Sequence, residues 1–432
     1  MKTFRLTLRC LGIAVLLTYC ERLVAQETME DYVKQNAVPV ATIDPGVTDF
    51  TDLNSLGHAI ADAKIVMLGE QDHGDALTFS AKSRIIKYLH EKLGFNVLAF
   101  ESDFFSLNEG WDKLEKRKET IIPFLKNNIT HLWTDCQNCS ELLFNYIPAS
   151  FETTHPLQVA GFDNQMFLTY SLLHLSAAID SLITKSNLEI GKSPGYKIAI
   201  LPLFDTLIKK LWLKAYRNED IPDSQFSNCD QYLRVLKQQT TEKLGPGHFW
   251  SMVIENLLVQ NRMLSEFKSP NTLNGTRDAQ MALNIQWLAK IKYPNQKIIV
   301  WAANTHVYRN EDGFKSMGYV LGNGLIEKEK TYILAFTSYS GMGGRLGNPT
   351  YIIKPAASNS IESWLKGKYK YAFVDYKKYN TRWPDEHAKF YQRSHVYTSF
   401  KREWTRIYDG LLFISEMQRC QPVVTLPPTE KR

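Results

Sequence analysis

Two glutamates and two histidines stand where short apolar runs give way to polar residues. The run 65–68 leads into Gly69-Glu70-Gln71-Asp72-His73-Gly74, and the run 97–100 leads straight into Glu101. Residues 157–162 are followed by Asp163-Asn164, and 297–302 by Ala303-Asn304-Thr305-His306. Histidine, with an ordinary pKa near ~6.5, is the side chain suited to take and return a proton near neutrality. It needs a partner that fixes its tautomer and stabilises the imidazolium, which a carboxylate does. His73 with Glu101 is the expected pair, and Glu70 would orient a water or add a second carboxylate contact. His306 is placed to protonate a leaving group or hold a carbonyl oxygen. Gly69 and Gly74 would let the chain turn sharply and approach a ligand closely.

No nucleophile accompanies these groups. The chain has no G-x-S-x-G elbow, and neither Ser102 nor Ser340 sits in one. It also lacks H-E-x-x-H, a phosphate-binding G-x-x-x-x-G-K-[ST] loop, and a G-x-G-x-x-G between strand and helix. Direct activation of water is what remains, and no cofactor is expected. Two alternatives use the same residues: a metal-dependent hydrolase with Glu70, His73, Glu101 and His306 as ligands, or a binding protein that kept the pocket without the chemistry.

The elements that must position these groups follow from hydropathy. Ile65-Val66-Met67-Leu68, a helical pattern over 76–93 and a second apolar run at 97–100 form a βαβ unit, which implies parallel strands covered on both faces. Further strands are expected at 157–162, 297–302 and 332–336. The predicted class is α/β, a mostly parallel sheet flanked by helices, with a helical insertion at about 169–290 that is too long for one crossover. Ligands of such sheets bind at the carboxyl ends of the strands, so the four polar clusters should converge. The tail after Gly341 mixes glycines, aromatics and short apolar runs, and its element order is not readable.

Lys2, Arg5 and Arg9 precede the apolar run 11–17, and a small-residue region ends at Ala25, the pattern of a secretory signal peptide. The expectation is residues 1–25 as leader, 26–432 as the working domain, and export to periplasm or medium. The run is too short to span a bilayer, and Tyr19 before Cys20 argues against lipidation. Removing Lys2, Arg5, Arg9, Arg22 and Glu21 leaves 47 basic and 44 acidic side chains of the full 51 and 45. That balance, with no basic tract, excludes nucleic-acid binding. Cys136, Cys139, Cys229 and Cys420 remain, and a lone Cys136-x-x-Cys139 lacks the second pair of a zinc site. A structural or inert role is expected for them.

The block from Gly69 to Gly74, the helix carrying Phe79, Lys82 and Arg84, and Gly94-Phe95 leading to Phe100-Glu101 together resemble the opening of the erythromycin esterase family. Gly161-Phe162-Asp163, then Arg277-Asp278 with Met281-Ala282 and Asn284, then the stretch from Trp301 to His306 resemble its later blocks in the same order. The resemblance implies hydrolysis of an ester or macrolide lactone by water, with no covalent intermediate and no established metal. It implies His73 as general base, Glu101 as its support, Glu70 and His306 as partners in catalysis, and Lys82, Arg277, Asp163 and Asn304 as groups that hold substrate. Two departures stand out: Ala303 occupies the place of a frequent first histidine, and Lys82 that of an arginine, losing its bidentate fork.

Overall fold

Short apolar runs without polar alternation suit strands covered on both sides, and the chain builds its sheet from such runs. The computed structural model describes residues 27–211, 217, 222–266, 270–309 and 315–423; the leader expected at residues 1–25, with Cys20, lies outside these. Its strands are β1 (Val38–Pro39), β2 (Ile65–Leu68), β3 (Phe95–Asp103), β4 (Gln158–Asp163), β5 (Lys297–Trp301), β6 (Thr331–Gly343), β7 (Tyr351–Ile353), β8 (Tyr371–Asp375), β9 (Phe390–His395), β10 (Thr398–Arg402) and β11 (Gly410–Met417). One nine-stranded sheet runs in the order β1-β8-β11-β6-β2-β5-β3-β4, with β7 paired onto β6; β9 and β10 form a separate hairpin. The pairs from β11 through β4 are parallel, while β8, β1 and β7 join antiparallel.

Alternate residues of each strand face opposite layers. Ile65, Met67, Val97, Ala99, Ile298 and Val300 point into one core with the helices that lie between β4 and β5, including Thr169–Lys185, Asp223–Leu244, Phe249–Ser265 and Pro270–Trp287. Val66, Leu68, Leu98, Phe100, Ile299 and Trp301 point into the other, against Phe79, Ile85, Ile86 and Leu89 of the Ala76–Leu93 helix. That helix ends at Gly94, whose φ of 70° is the left-handed conformation glycine adopts without a Cβ clash.

The strand order carries a consequence for the chemistry. β2 and β3, successive in sequence, are not neighbours, because β5 lies between them and pairs with both. At about 4.8 Å per strand, the end of β2 stands two spacings from the end of β3, and the end of β5 fills the gap.

The unreadable tail supplies β8 and β11, and β11 then leads into a strap across the site edge. Ala76 N donates to Gln418 O at 2.9 Å and Cys420 N to Gly74 O at 2.9 Å. Cys420 is bonded to Cys136, 284 residues away, while Cys139 and Cys229 are free and buried. Gln137 N and Val423 N add bonds to Gln421 O and Asp135 O. A covalent tie over so long a loop restricts the unfolded chain strongly. Cys420→Ser should lower stability by about 2–5 kcal/mol, read from denaturant unfolding without reductant; an unchanged midpoint would refute the bridge.

Candidate active site

Glu70 follows β2 with no exposed surface, so its charge must be answered by protein. His73 Nδ1 lies 2.7 Å from its Oε1, Lys82 Nζ donates to Oε2 at 2.7 Å, and Trp133 Nε1 donates to Oε1 at 3.2 Å. Lys82 is itself fully buried; its Nζ also donates to Ala302 O at 3.2 Å and rests 4.2 Å from the centre of the Trp301 ring. Burial lowers the Lys82 pKa, and Glu70 pulls it back up. Phe79, Phe100, Trp133 and Trp301 pack around this pair and keep water from it. A carboxylate so held makes His73 Nδ1 the donor and leaves Nε2 as the basic nitrogen.

A second cluster gathers around Glu101, at an irregularity where β3 parts from β4. Arg277 Nη2 donates to Glu101 Oε1 at 2.7 Å and to Asp163 Oδ2 at 2.6 Å, with Nε on Asp163 Oδ1 at 3.1 Å. Ala303 N donates to Glu101 Oε2 at 3.2 Å. His306 Nε2 lies 3.4 Å from Glu101 Oε1, and its Nδ1 lies 2.8 Å from Asp278 Oδ1. The other oxygen of Asp278 accepts Met317 N at 2.8 Å, so both accept N–H bonds as an ionised carboxylate does. Burial would lower the His306 pKa, but Asp278 and Glu101 outweigh it and raise it to about 9. Burial would likewise raise Glu101, and the charges of His306, Arg277 and His73 hold it at about 2.

Two openings meet at this place. A cavity of about 200 Å³ is lined by His73, Glu101, Trp133, Asp163, Arg277 and Arg345. A second, of about 360 Å³, is lined by His73, Ala303, His306, Arg345, His395 and Arg402 among others. His73 and Arg345 belong to both. His73, Glu70, Glu101, His306, Arg277 and Asp163 are thus brought together as the strand-end argument requires.

The pairing within the group differs from expectation. The carboxylate bonded to His73 is Glu70, three residues before it, and not Glu101, because β5 intervenes and brings His306 to Glu101 instead. Lys82, expected to hold substrate, is sealed behind Glu70. Asn304 is sealed too: it donates to Phe336 O at 2.8 Å and Ser394 O at 2.9 Å and ties β6 to β9. Gly69 and Gly74 serve close chain packing, since a Cβ would stand 2.0 Å from Asn304 Oδ1 in one case and 2.5 Å from Gly344 O in the other. Trp133, Asp278, Arg345 and His395 also stand at the site, although the sequence gives no site role to any of them. Only Asp278 carried a signal, its place beside Arg277.

The family model described as Erythromycin esterase matches residues 90–417. The chain belongs to the erythromycin esterase family. A putative hydrolase, YbfO of Bacillus subtilis, is 26% identical over 96% of this chain and 97% of its own length. The erythromycin esterase type II of Escherichia coli is 24% identical over 72% of this chain and 77% of its own. Among solved structures, a mutant of the erythromycin esterase EreC in its open conformation superposes with a TM-score of 0.65 at 17% identity, covering 90% of this chain and 99% of that one. A succinoglycan biosynthesis protein does so at 0.70 and 17%, covering 91% and 97%. The erythromycin esterase fold is therefore common to these chains despite sparse identity.

The Glu70–Lys82 pair of this family member yields a stability prediction. Removing one partner of a buried ion pair strands the other charge, at about 3–5 kcal/mol. Lys82→Met should cost that much in denaturant unfolding, and adding Glu70→Gln should restore part of it. Equal losses in the single and double variants would contradict the pairing.

Proposed function

We propose that this protein is a hydrolase that cleaves an ester or lactone by attack of water, with His73 as general base. Family membership and the putative hydrolase relative support the hydrolase class. The observation that carries the mechanism is the 2.7 Å contact of His73 Nδ1 with a fully buried Glu70, beside the larger opening that His73 lines together with the His306 imidazolium. Glu70 fixes the tautomer; His73 Nε2 takes the proton from water as its oxygen attacks the carbonyl. The His306 imidazolium, with Arg277 3.3 Å from its Nε2, faces the developing negative charge and supplies the proton to the departing alkoxide. Glu101 and Asp163 hold Arg277 in place, and Glu101 keeps His306 protonated.

The donor set favours this over a metal-dependent route. Among the described residues no three acidic, histidine or cysteine side chains converge as metal ligands. Glu70 and Glu101 each already face a cation, Lys82 and Arg277, which a divalent ion would meet as like charge. Export accompanies the reading: the Cys136–Cys420 bridge suits an oxidising compartment, as the leader does.

Incubation with a panel of esters and lactones, followed by mass spectrometry, should show one substrate gaining a water. His73→Gln should lose about 10²- to 10⁴-fold in turnover with an unchanged circular dichroism spectrum; wild-type rates in that variant would remove the mechanism. A chelator should leave turnover intact, and loss restored by a divalent ion would favour the metal route instead.

The raised His306 pKa fixes a sign. The charged form is kept below about 9 and lost as pH rises through it, so kcat/KM should fall on the alkaline side near about 9. His306→Gln should lack that limb, and an identical profile would exclude His306 as the proton donor.

A further inference from the structure

The β9–β10 hairpin turns through Val396 and Tyr397, with His395 and Thr398 paired across the turn. Both turn residues take left-handed φ angles, 39° and 59°. Such a turn favours Asn-Gly, and a β-branched valine adopts it only at a cost. Docking offsets that cost: Val396 N donates to Gln71 O at 3.1 Å, and the Tyr397 hydroxyl is hydrogen-bonded to Asp75. On the other side of His395, Ser394 O accepts Asn304 Nδ2 at 2.9 Å. Residue 395 is therefore clamped between the loops that follow β2 and β5.

This anchoring delivers an imidazole that the proton transfers proposed above do not use. His395 reaches solvent and lines the larger opening with His73 and His306, yet its ring makes no hydrogen bond among the described residues. Partial burial lowers its pKa most; Asp72 pulls it up, and the charges of His306, Arg345 and His73 push it down further. The ring is thus neutral at neutral pH, with one N–H to donate and one lone pair to accept. The Thr305 hydroxyl, on the same lining, also makes no hydrogen bond among the described residues. Two neutral groups that can each donate and accept suit a partner of the same kind, which is an alcohol. Phe400 and Trp404 add apolar wall to the same chamber.

We propose that the larger chamber binds a hydroxyl group of the substrate, carried on an apolar scaffold, with the His395 imidazole and the Thr305 hydroxyl as its receptors. The protein then selects a hydroxylated ester over its deoxy counterpart, with the scissile carbonyl at His73. This assignment rests on the hydrolase reading for its kinetic consequences, and on the chamber alone for binding.

The test uses pairs of esters that differ by one hydroxyl: methyl mandelate against methyl phenylacetate, methyl 3-hydroxy-3-phenylpropanoate against methyl 3-phenylpropanoate, and 2-hydroxyethyl phenylacetate against ethyl phenylacetate. In at least one pair kcat/KM, divided by the alkaline hydrolysis rate of each ester, should favour the hydroxylated member by about 3- to 10-fold, the worth of one neutral hydrogen bond. His395→Phe keeps a ring and removes both nitrogens, and Thr305→Val keeps the shape and removes the hydroxyl. Each should narrow the preference by raising KM more for the hydroxylated member. His395→Gln, which keeps a donor and an acceptor, should restore part of it, as a purely structural role would not. No preference in any pair, or a preference that survives in both His395→Phe and Thr305→Val, overturns the proposal. If no ester is turned over, ligand-observed NMR titration with the same pairs separates the two readings. Tighter binding of a hydroxylated member that His395→Phe abolishes keeps the site while the hydrolase reading falls, and equal or absent binding within every pair removes the site.

Discussion

A carboxylate taken wholly out of water keeps its charge only if protein supplies both countercharge and hydrogen bonds, and around Glu70 much of the fold is committed to doing so. The ammonium that answers it, Lys82, is equally dry and has three protons to place. One goes to Glu70, one to Ala302 O, and the remaining direction meets the face of Trp301. These partners come from the loop after β2, the helix that follows it, and the end of β5. The ion pair is thus a joint between three elements, and its aromatic jacket is the price of keeping the charges strong.

That joint also sets the relation between the two imidazoles. β5 ends at Trp301, so Ala302, which receives the Lys82 proton, lies four residues before His306. Fixing one fixes the approach of the other. His73 is held by a carboxylate whose charge is matched by Lys82, and His306 by two acids facing Arg277 as well. The second histidine thereby stays charged to about 9. Separate surroundings of this kind would let one fold give two like residues the opposite proton-transfer roles proposed for them.

The strands were legible because each is a continuous apolar run, and the convergence of their ends was legible because parallel sheets place them on one edge. Their lateral order was not. Nothing in residues 65–100 announces that a strand almost 200 residues later will enter between β2 and β3, and the assignment of Glu101 to His73 failed on that point. Lys82 and Asn304 misled for a different reason: a polar side chain near a site reads as facing the ligand, whereas both are consumed within the protein, one by Glu70 and the other by the carbonyls of Phe336 and Ser394. Arg345 went unread since it lies among glycines, at positions 341, 343, 344 and 347, whose sequence fixes no periodicity. Its position depends on Asp72 and Arg419, which only the folded chain brings together.

Closure of the C-terminal strap completes the arrangement. The Glu70–His73 contact is local, a matter of three residues, and needs little beyond its own loop. Trp133, the third partner of Glu70, is one turn before Cys136, and Cys136 is bonded to Cys420. Arg419, next to that cysteine, holds the loop of Arg345, and Cys420 N holds Gly74. The same short segment therefore braces the loop of His73 from one side and that of Arg345 from the other. Because β11 pairs with β6 and β8, which are themselves distant from β2 in sequence, the strap can settle only when the sheet is nearly complete. The dyad can form early, but the cavity in which it would act on a substrate belongs to the finished fold.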